Sequence, residues 1–279
     1  MGSVACRGIC RSGESKLIPY LRFVLCFVRD ALEPARRFVR LTPNQSGTLV
    51  FFDKRRREFL SLQSRGPVDS STADQIYTQH QYNFGFMARS KEIQSKYESI
   101  LLNGKEALII DCGANIGLSA RYFATEYRKA RIVGLEPDIG NVAIARTHCE
   151  NFENVEIRQA AVGAESGFAV IVNPDAAPNA FQTRRTDSAG GVVVVTINQL
   201  LEEFSNAELF IVKIDVEGFE ADLFSAHTDW IRKAAVLVIE LHDWMVPNSA
   251  NSHNFLKAIS AESRDFVFHG ENVFSIRND

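Results

Sequence analysis

Asp111 ends the apolar run LIID, and the stretch DCGANIGLSARYF then supplies two glycines and a helix-like segment. Gly113 and Gly117 let backbone approach a ligand closely. The positive end of a helix starting near Leu118 favours a carboxylate in the same space. Glu136 ends the next apolar run, RIVGLE, where an acid can accept both hydrogen bonds of a ribose diol. Pro137 and Asp138 continue the turn expected beneath the adenosine. The spacing Gly113-Ala114-Asn115-Ile116-Gly117 is not the dinucleotide pattern, and it lacks the lysine of a phosphate-cradling loop. A ligand with a carboxylate, a cation and a ribose meets these features together, and S-adenosylmethionine is such a ligand.

A second group of ionisable residues lies in KIDVEGFE, where Lys213, Asp215, Glu217 and Glu220 follow an apolar run. Charges are expensive to bury unless they are paired or used. Lys213 and Asp215 share one face of a strand, and an ion pair with an acid is the expectation for Lys213. His242 and Asp243 follow a further apolar run, AVLVIEL. An alcohol is a poor nucleophile at neutral pH, so if the methyl of S-adenosylmethionine passes to an alcohol, a nearby base is called for. Asp215 is expected beside the methyl group, with Glu217 or His242 removing the hydroxyl proton. The plainer alternatives are a helix-start acid for Glu217 and a turn residue bonded to Asp243 for His242. The primary expectation is metal-free. A variant would recruit Asp215, Glu217, His242 and Asp243 as ligands for Mg²⁺ or Mn²⁺. Trp244 offers a flat apolar face to an acceptor ring.

These residues need elements to position them. ALIID (107–111), RIVGLEP (131–137), NVEIRQAAV (154–162), LFIVKIDVEG (209–218) and AVLVIELHD (235–243) read as strands, the most apolar of them buried on both faces. Helices are expected between the first three, and FVFHGENVFSI (266–276) reads as a closing hairpin around Gly270-Glu271-Asn272. The order implies an α/β fold, a doubly wound, mostly parallel sheet, with ligands collecting beyond the carboxyl ends of its strands. GFAVIVN (167–173) and VVVVTI (192–197) are strand-like and flank PDAAPNAFQTRRTDSAGG, expected as a polar loop over the site or as disorder. Upstream, TLVFFDKRRREFLSL (48–62) reads as a hairpin whose KRRR run is a solvated turn, SRGPVDSST (64–72) as a loop, and 73–104 as one or two helices.

The N-terminal segment differs from the rest. Residues 1–66 carry thirteen Lys/Arg and five Asp/Glu, against 18 basic and 29 acidic residues beyond them. A basic leader thus precedes an acidic body, and the net charge of −3 argues against a nucleic-acid partner. Leu17, Leu21, Val24, Leu25, Val28 and Leu32 recur at helical spacing, which predicts an amphipathic helix; packing on its own protein is the plain reading, and weak membrane-surface association the other. LIPYLRFVLCFV is about half the length that spans a bilayer. MGSVAC resembles an acylation start only superficially, with Cys6 where Ser or Thr is wanted. Five cysteines, odd in number and without paired spacing, fit a reducing cytoplasm. The expected organisation is a leader over 1–44, a hairpin and helical lead-in over 45–105, and a cofactor domain over 106–279.

DCGANIG, LEPD at 135–138, KIDVEGFE at 213–220 and IELHD at 239–243 together resemble the FkbM-type methyltransferases, and the resemblance runs from about Arg65 to the C-terminus. It implies a class I, Rossmann-like methyltransferase fold with strand order 3-2-1-4-5-7-6. It also implies S-adenosylmethionine as donor and a hydroxyl acceptor on a sugar, such as an oligosaccharide or glycolipid, or on a natural product. By motif match, Asp111, Gly113, Asn115 and Gly117 would hold the methionine portion and Glu136 the ribose. The family often carries an asparagine near the end of its second helix, where this chain has Thr147-His148-Cys149. Two other classes compete. A nicotinamide-dependent oxidoreductase should show Gly-x-Gly-x-x-Gly after the first strand, and this chain does not. A non-catalytic cofactor binder would have no need of the clustered acids.

Overall fold

The computed structural model describes residues 17–34, 36–43, 47–177 and 180–278, so the expectations for MGSVAC, Cys6 and Cys10 lie outside the described residues. In the first unit, Met1–Gly66, the helical periodicity becomes α1 (Leu17–Leu32). The expected hairpin is β2 (Thr48–Asp53) and β3 (Glu58–Gln63). A strand not foreseen, β1 (Phe38–Arg40), pairs antiparallel with β2, giving a three-stranded sheet in the order β1-β2-β3. Buried Asp53 organises the KRRR turn. It accepts the Arg55 and Arg56 amides at 3.0 and 3.2 Å and the Arg37 guanidinium at 2.9 and 3.0 Å on its two oxygens.

The second unit, Pro67–Asp279, begins with a correction. The stretch expected as a loop is largely α2 (Pro67–Ala73), because a proline fits the first helical position, where its missing N–H has no partner to lose. A wide turn over Asp74–Thr78 and α3 (Ser90–Leu102) complete the lead-in. The first unit thus holds α1 and the hairpin, and the second holds the lead-in helices and the large sheet.

The apolar runs then build that sheet. In chain order come β4 (Glu106–Cys112), α4 (Leu118–Glu126), β5 (Ala130–Glu136), α5 (Ile139–Cys149) and β6 (Val155–Gln159). Next come β7 (Ala161–Val162), β8 (Gly167–Ile171), β9 (Thr183–Thr186), β10 (Val192–Val195) and α6 (Ile197–Glu203). The chain ends with β11 (Ala207–Ile214), α7 (Glu220–Leu223), β12 (Val236–Glu240), α8 (His253–Ile259), β13 (Arg264–His269) and β14 (Asn272–Arg277). Seven strands pair in the order β13-β14-β12-β11-β4-β5-β6, parallel from β12 to β6 and antiparallel at the β13–β14 end. Every residue from Ala107 to Cys112 is buried, as a strand covered on both faces requires. The register sets Asp111 beside Lys213 on one neighbour and Gly134 on the other.

Between β6 and β11 the chain makes a second sheet in the order β7-β10-β8-β9. It contains Thr183–Thr186, which lies within the stretch expected as a polar loop. NVEIRQAAV is likewise not one strand: it breaks at Ala160, whose amide donates to the Glu136 carbonyl at 3.1 Å, and Ala161 and Val162 join the smaller sheet. No helix among the described residues is long and apolar enough to cross a membrane.

Candidate active site

The loop after β4 is held from below. Asp111 is fully buried, accepts the Ser119 hydroxyl at 2.5 Å and lies 3.1 Å from the Lys213 ammonium. Lys213 also donates to the Gly113 carbonyl at 2.6 Å. Burial works against the Lys213 charge, but Asp111 and Asp215 outweigh it and hold its pKa above the usual lysine value. The loop visits the left-handed region at Gly113 (φ 80°), Asn115 (φ 49°) and Gly117 (φ 79°). Both glycines are needed for close packing within the protein: a Cβ on Gly113 would stand 1.8 Å from the Asp215 carbonyl oxygen, and one on Gly117 would stand 2.9 Å from Ala145. At the end of α5, His148 Nδ1 contacts the Ile116 carbonyl at 2.6 Å, so the residues that depart from the family pattern brace the loop from outside.

Glu136 closes β5 and is 5% exposed. Its two oxygens accept the Asn115 amide at 2.8 Å, the Asp138 amide at 3.0 Å and the Asn141 side chain at 3.1 Å. Burial nonetheless leaves its pKa above the usual carboxyl value. Asp138 caps α5 through the Asn141 amide at 2.8 Å.

Beyond the ends of β11 and β12 the acids gather around one imidazole. His242 is 1% exposed, and its Nδ1 meets Glu220 Oε1 at 2.5 Å. Glu220 is itself fully buried and accepts from the Asn251 side chain. On the other side of the ring, Nε2 stands 3.6 Å from Asp215, 3.6 Å from Glu217 and 3.6 Å from Glu240. Burial disfavours a charged ring, but the carboxylates of Glu220, Glu240 and Asp215 prevail and push the pKa up to about 11. Glu217 adopts a left-handed backbone (φ 50°), uncommon for a non-glycine residue. Burial first, then the Asp215 charge, push its pKa up to about 8.

One cavity of about 300 Å³ joins the two halves. Gly113, Asn115, Glu136 and Pro137, from the chain just after β4 and β5, line it, with Leu135, Ala161 and Val162 supplying apolar wall. Asp215, Glu217, Glu240, His242 and Trp244, at and beyond the ends of β11 and β12, line it as well.

The profile of the methyltransferase FkbM domain matches residues 111–268, more than half of the chain. The chain belongs to the FkbM methyltransferase family. No curated protein matches its sequence. Among solved structures, a Klebsiella pneumoniae protein assigned as an O-methyltransferase is similar with TM-score 0.40 and 14% identity over 70% of this chain and 83% of that one. Monomeric WbdD gives TM-score 0.40 and 13% identity, covering 74% of this chain and 44% of WbdD. The O-methyltransferase from Bacillus cereus in complex with SAH gives 0.37 and 14%, covering 74% and 90%.

In this FkbM methyltransferase the expected site residues fall into two sets. Gly113, Asn115, Glu136, Pro137, Asp215, Glu217 and His242 all line the cavity. Asp111 and Gly117 are not among its lining residues; the Asp111 carboxylate meets the Ser119 hydroxyl and the Lys213 ammonium beneath the loop. The ion pair expected of Lys213 has Asp111 as its partner. Asp243 turns away to accept the Ser252 amide at 3.2 Å rather than bonding His242. Two acids of the cavity were missed, Glu240 and Glu271. Glu240 had a signal in IELHD, since residues two apart on a strand share a face; Glu271 lies in a hairpin turn and had none.

Proposed function

We propose that this chain transfers a methyl group from S-adenosylmethionine to a hydroxyl of a sugar, on an oligosaccharide or glycolipid. The observation that carries the reading is the single cavity lined by Glu136 and by Asp215, Glu217 and Trp244. The donor fits on one further ground: Asn115 Oδ1 is a buried acceptor with no hydrogen-bond partner, suited to an ammonium group. Glu136 would accept from the ribose hydroxyls, Pro137 would support the adenosine, and the loop at Gly113–Asn115 would take the methionine portion. S-adenosylmethionine supplies a methyl carbon whose bond to sulfur breaks with the electron pair left on a neutral thioether.

The protein's contribution is alignment in a dry pocket. Asp215 borders the reaction space. Glu217 takes the acceptor's proton as the oxygen bonds to the methyl carbon. Of the two candidates, the base role falls to Glu217, because the carboxylates around His242 favour its charged form. Trp244, 74% exposed at the cavity rim, favours a sugar ring, against which an indole face packs well. The buried free thiols of Cys112 and Cys149 support a reducing, cytoplasmic setting. Leu25, Val28 and Leu32, exposed on α1, support weak contact with a membrane surface.

The test is transfer of labelled methyl from S-adenosylmethionine to a panel of oligosaccharides, glycolipids and polyketide alcohols. Label in a sugar fraction is expected. Label only in polyketides would move the acceptor to a natural product, and tight donor binding without transfer to any acceptor would leave a non-catalytic binder.

A further inference from the structure

We propose that Asp215, Glu240 and His242 form a site for one divalent transition-metal ion of the Mn²⁺ kind at the acceptor end of the cavity. Its use in methyl transfer rests on the function proposed above, whereas its binding does not. One ligand atom from each residue lies within 4.8 Å of the other two, and His242 Nε2 is 3.6 Å from both Asp215 Oδ1 and Glu240 Oε1. Ligands held ~2.0–2.2 Å from one ion, at angles between octahedral and tetrahedral, stand roughly 3–3.6 Å from each other. No other such group of three His, Cys, Asp or Glu side chains occurs among the described residues.

The independent observation is the ring itself. At 3.6 Å from three carboxylates, Nε2 is too far for a hydrogen bond to any of them, although His242 is 1% exposed and aims this atom between them. An ion in that gap would satisfy the nitrogen and the oxygens together. The far side of the ring is built as metal-ligating histidines are: Nδ1 meets the Glu220 carboxylate at 2.5 Å, and Asn251 fixes Glu220 in turn. Two carboxylates with one imidazole are too few oxygens for Ca²⁺ and suit Mn²⁺, Fe²⁺, Co²⁺ or Zn²⁺ better than Mg²⁺. Glu217 and Trp244 line the same cavity, where an acceptor hydroxyl could enter beside the ion. Of the ligand set that the sequence suggested, Asp215 and His242 remain, Glu240 enters, and Glu217 and Asp243 drop out.

Equilibrium dialysis of the full chain, stripped with EDTA and then exposed to Mn²⁺, tests the site, with electron paramagnetic resonance reading free ion. One Mn²⁺ per chain is expected, weakened at least tenfold in Glu240→Gln and in Asp215→Asn, each with an unchanged circular dichroism spectrum. The visible spectrum of the Co²⁺-loaded protein should change in the same variants. Absence of stoichiometric binding by both ions, or binding untouched by both substitutions, overturns the proposal. Calorimetry with S-adenosylmethionine in EDTA separates the two readings. Donor heat without Mn²⁺ binding removes the metal site alone, and Mn²⁺ binding without donor heat removes the proposed donor alone.

Discussion

Lys213 shows how a single side chain can decide whether the cavity has a wall. Its ammonium is 3.1 Å from the buried Asp111 carboxylate and 2.6 Å from the Gly113 carbonyl, so it ties the loop after β4 to β11. Removing one member of a buried pair leaves the other charge uncompensated, at about 3–5 kcal/mol. Lys213→Met should therefore lower unfolding free energy by roughly that amount, measured by urea titration. Trp244 belongs to the opposite class, exposed and at the rim. Trp244→Ala should raise the acceptor KM about two- to tenfold, the loss of one aromatic contact, with donor affinity unchanged. Residue identity was legible in the sequence where chemistry was unusual, as at Glu136, Asp215 and His242. Whether a strand-end acid faces a ligand or the loop beneath it was not legible, since that depends on the register that sets Asp111 beside Lys213.

At the scale of elements, the loop from Gly113 to Gly117 depends on what its glycines touch. Gly113→Ala adds a Cβ 1.8 Å from the Asp215 carbonyl at φ 80°. The left-handed conformation alone costs about 1–2 kcal/mol, and the collision adds to it. A lower melting temperature and weaker donor binding are expected together, because the loop must withdraw from β11 to fit the methyl group. The hairpin of the first unit offers a pH test. Burial would raise the Asp53 pKa, but the hydrogen bonds and charge of Arg37 outweigh it and hold the pKa below the usual aspartate value. A depressed carboxyl contributes stability above its unfolded pKa, about 3.9, and loses it as pH falls through the lower folded value. Asp53→Asn should thus destabilise the hairpin at neutral pH and flatten its acid transition, seen by amide exchange in Thr48–Gln63. The main strands were legible because they are unbroken apolar runs. The smaller sheet was not: β9 is Thr-Arg-Arg-Thr, with no apolar pattern, and pairs only because β8 runs beside it.

At the scale of the whole molecule, one cavity lies beyond the carboxyl ends of four neighbouring strands of the large sheet. Glu136 and the loop after β4 line it, as do acids around His242. The sequence suggested both groups separately, from motifs some 80 residues apart. That they meet in one space follows from the parallel neighbours β5, β4, β11 and β12, whose carboxyl ends all open on the same side. The most direct test is isothermal calorimetry of S-adenosylmethionine with the full chain and with Glu136→Gln. The chain should bind one donor. The variant, which keeps the shape but loses the charge that strengthens hydrogen bonds to a diol, should bind more weakly by about 1.5–3 kcal/mol, roughly ten- to a hundredfold. No heat with the unaltered chain, or equal affinity in the variant, would contradict the account.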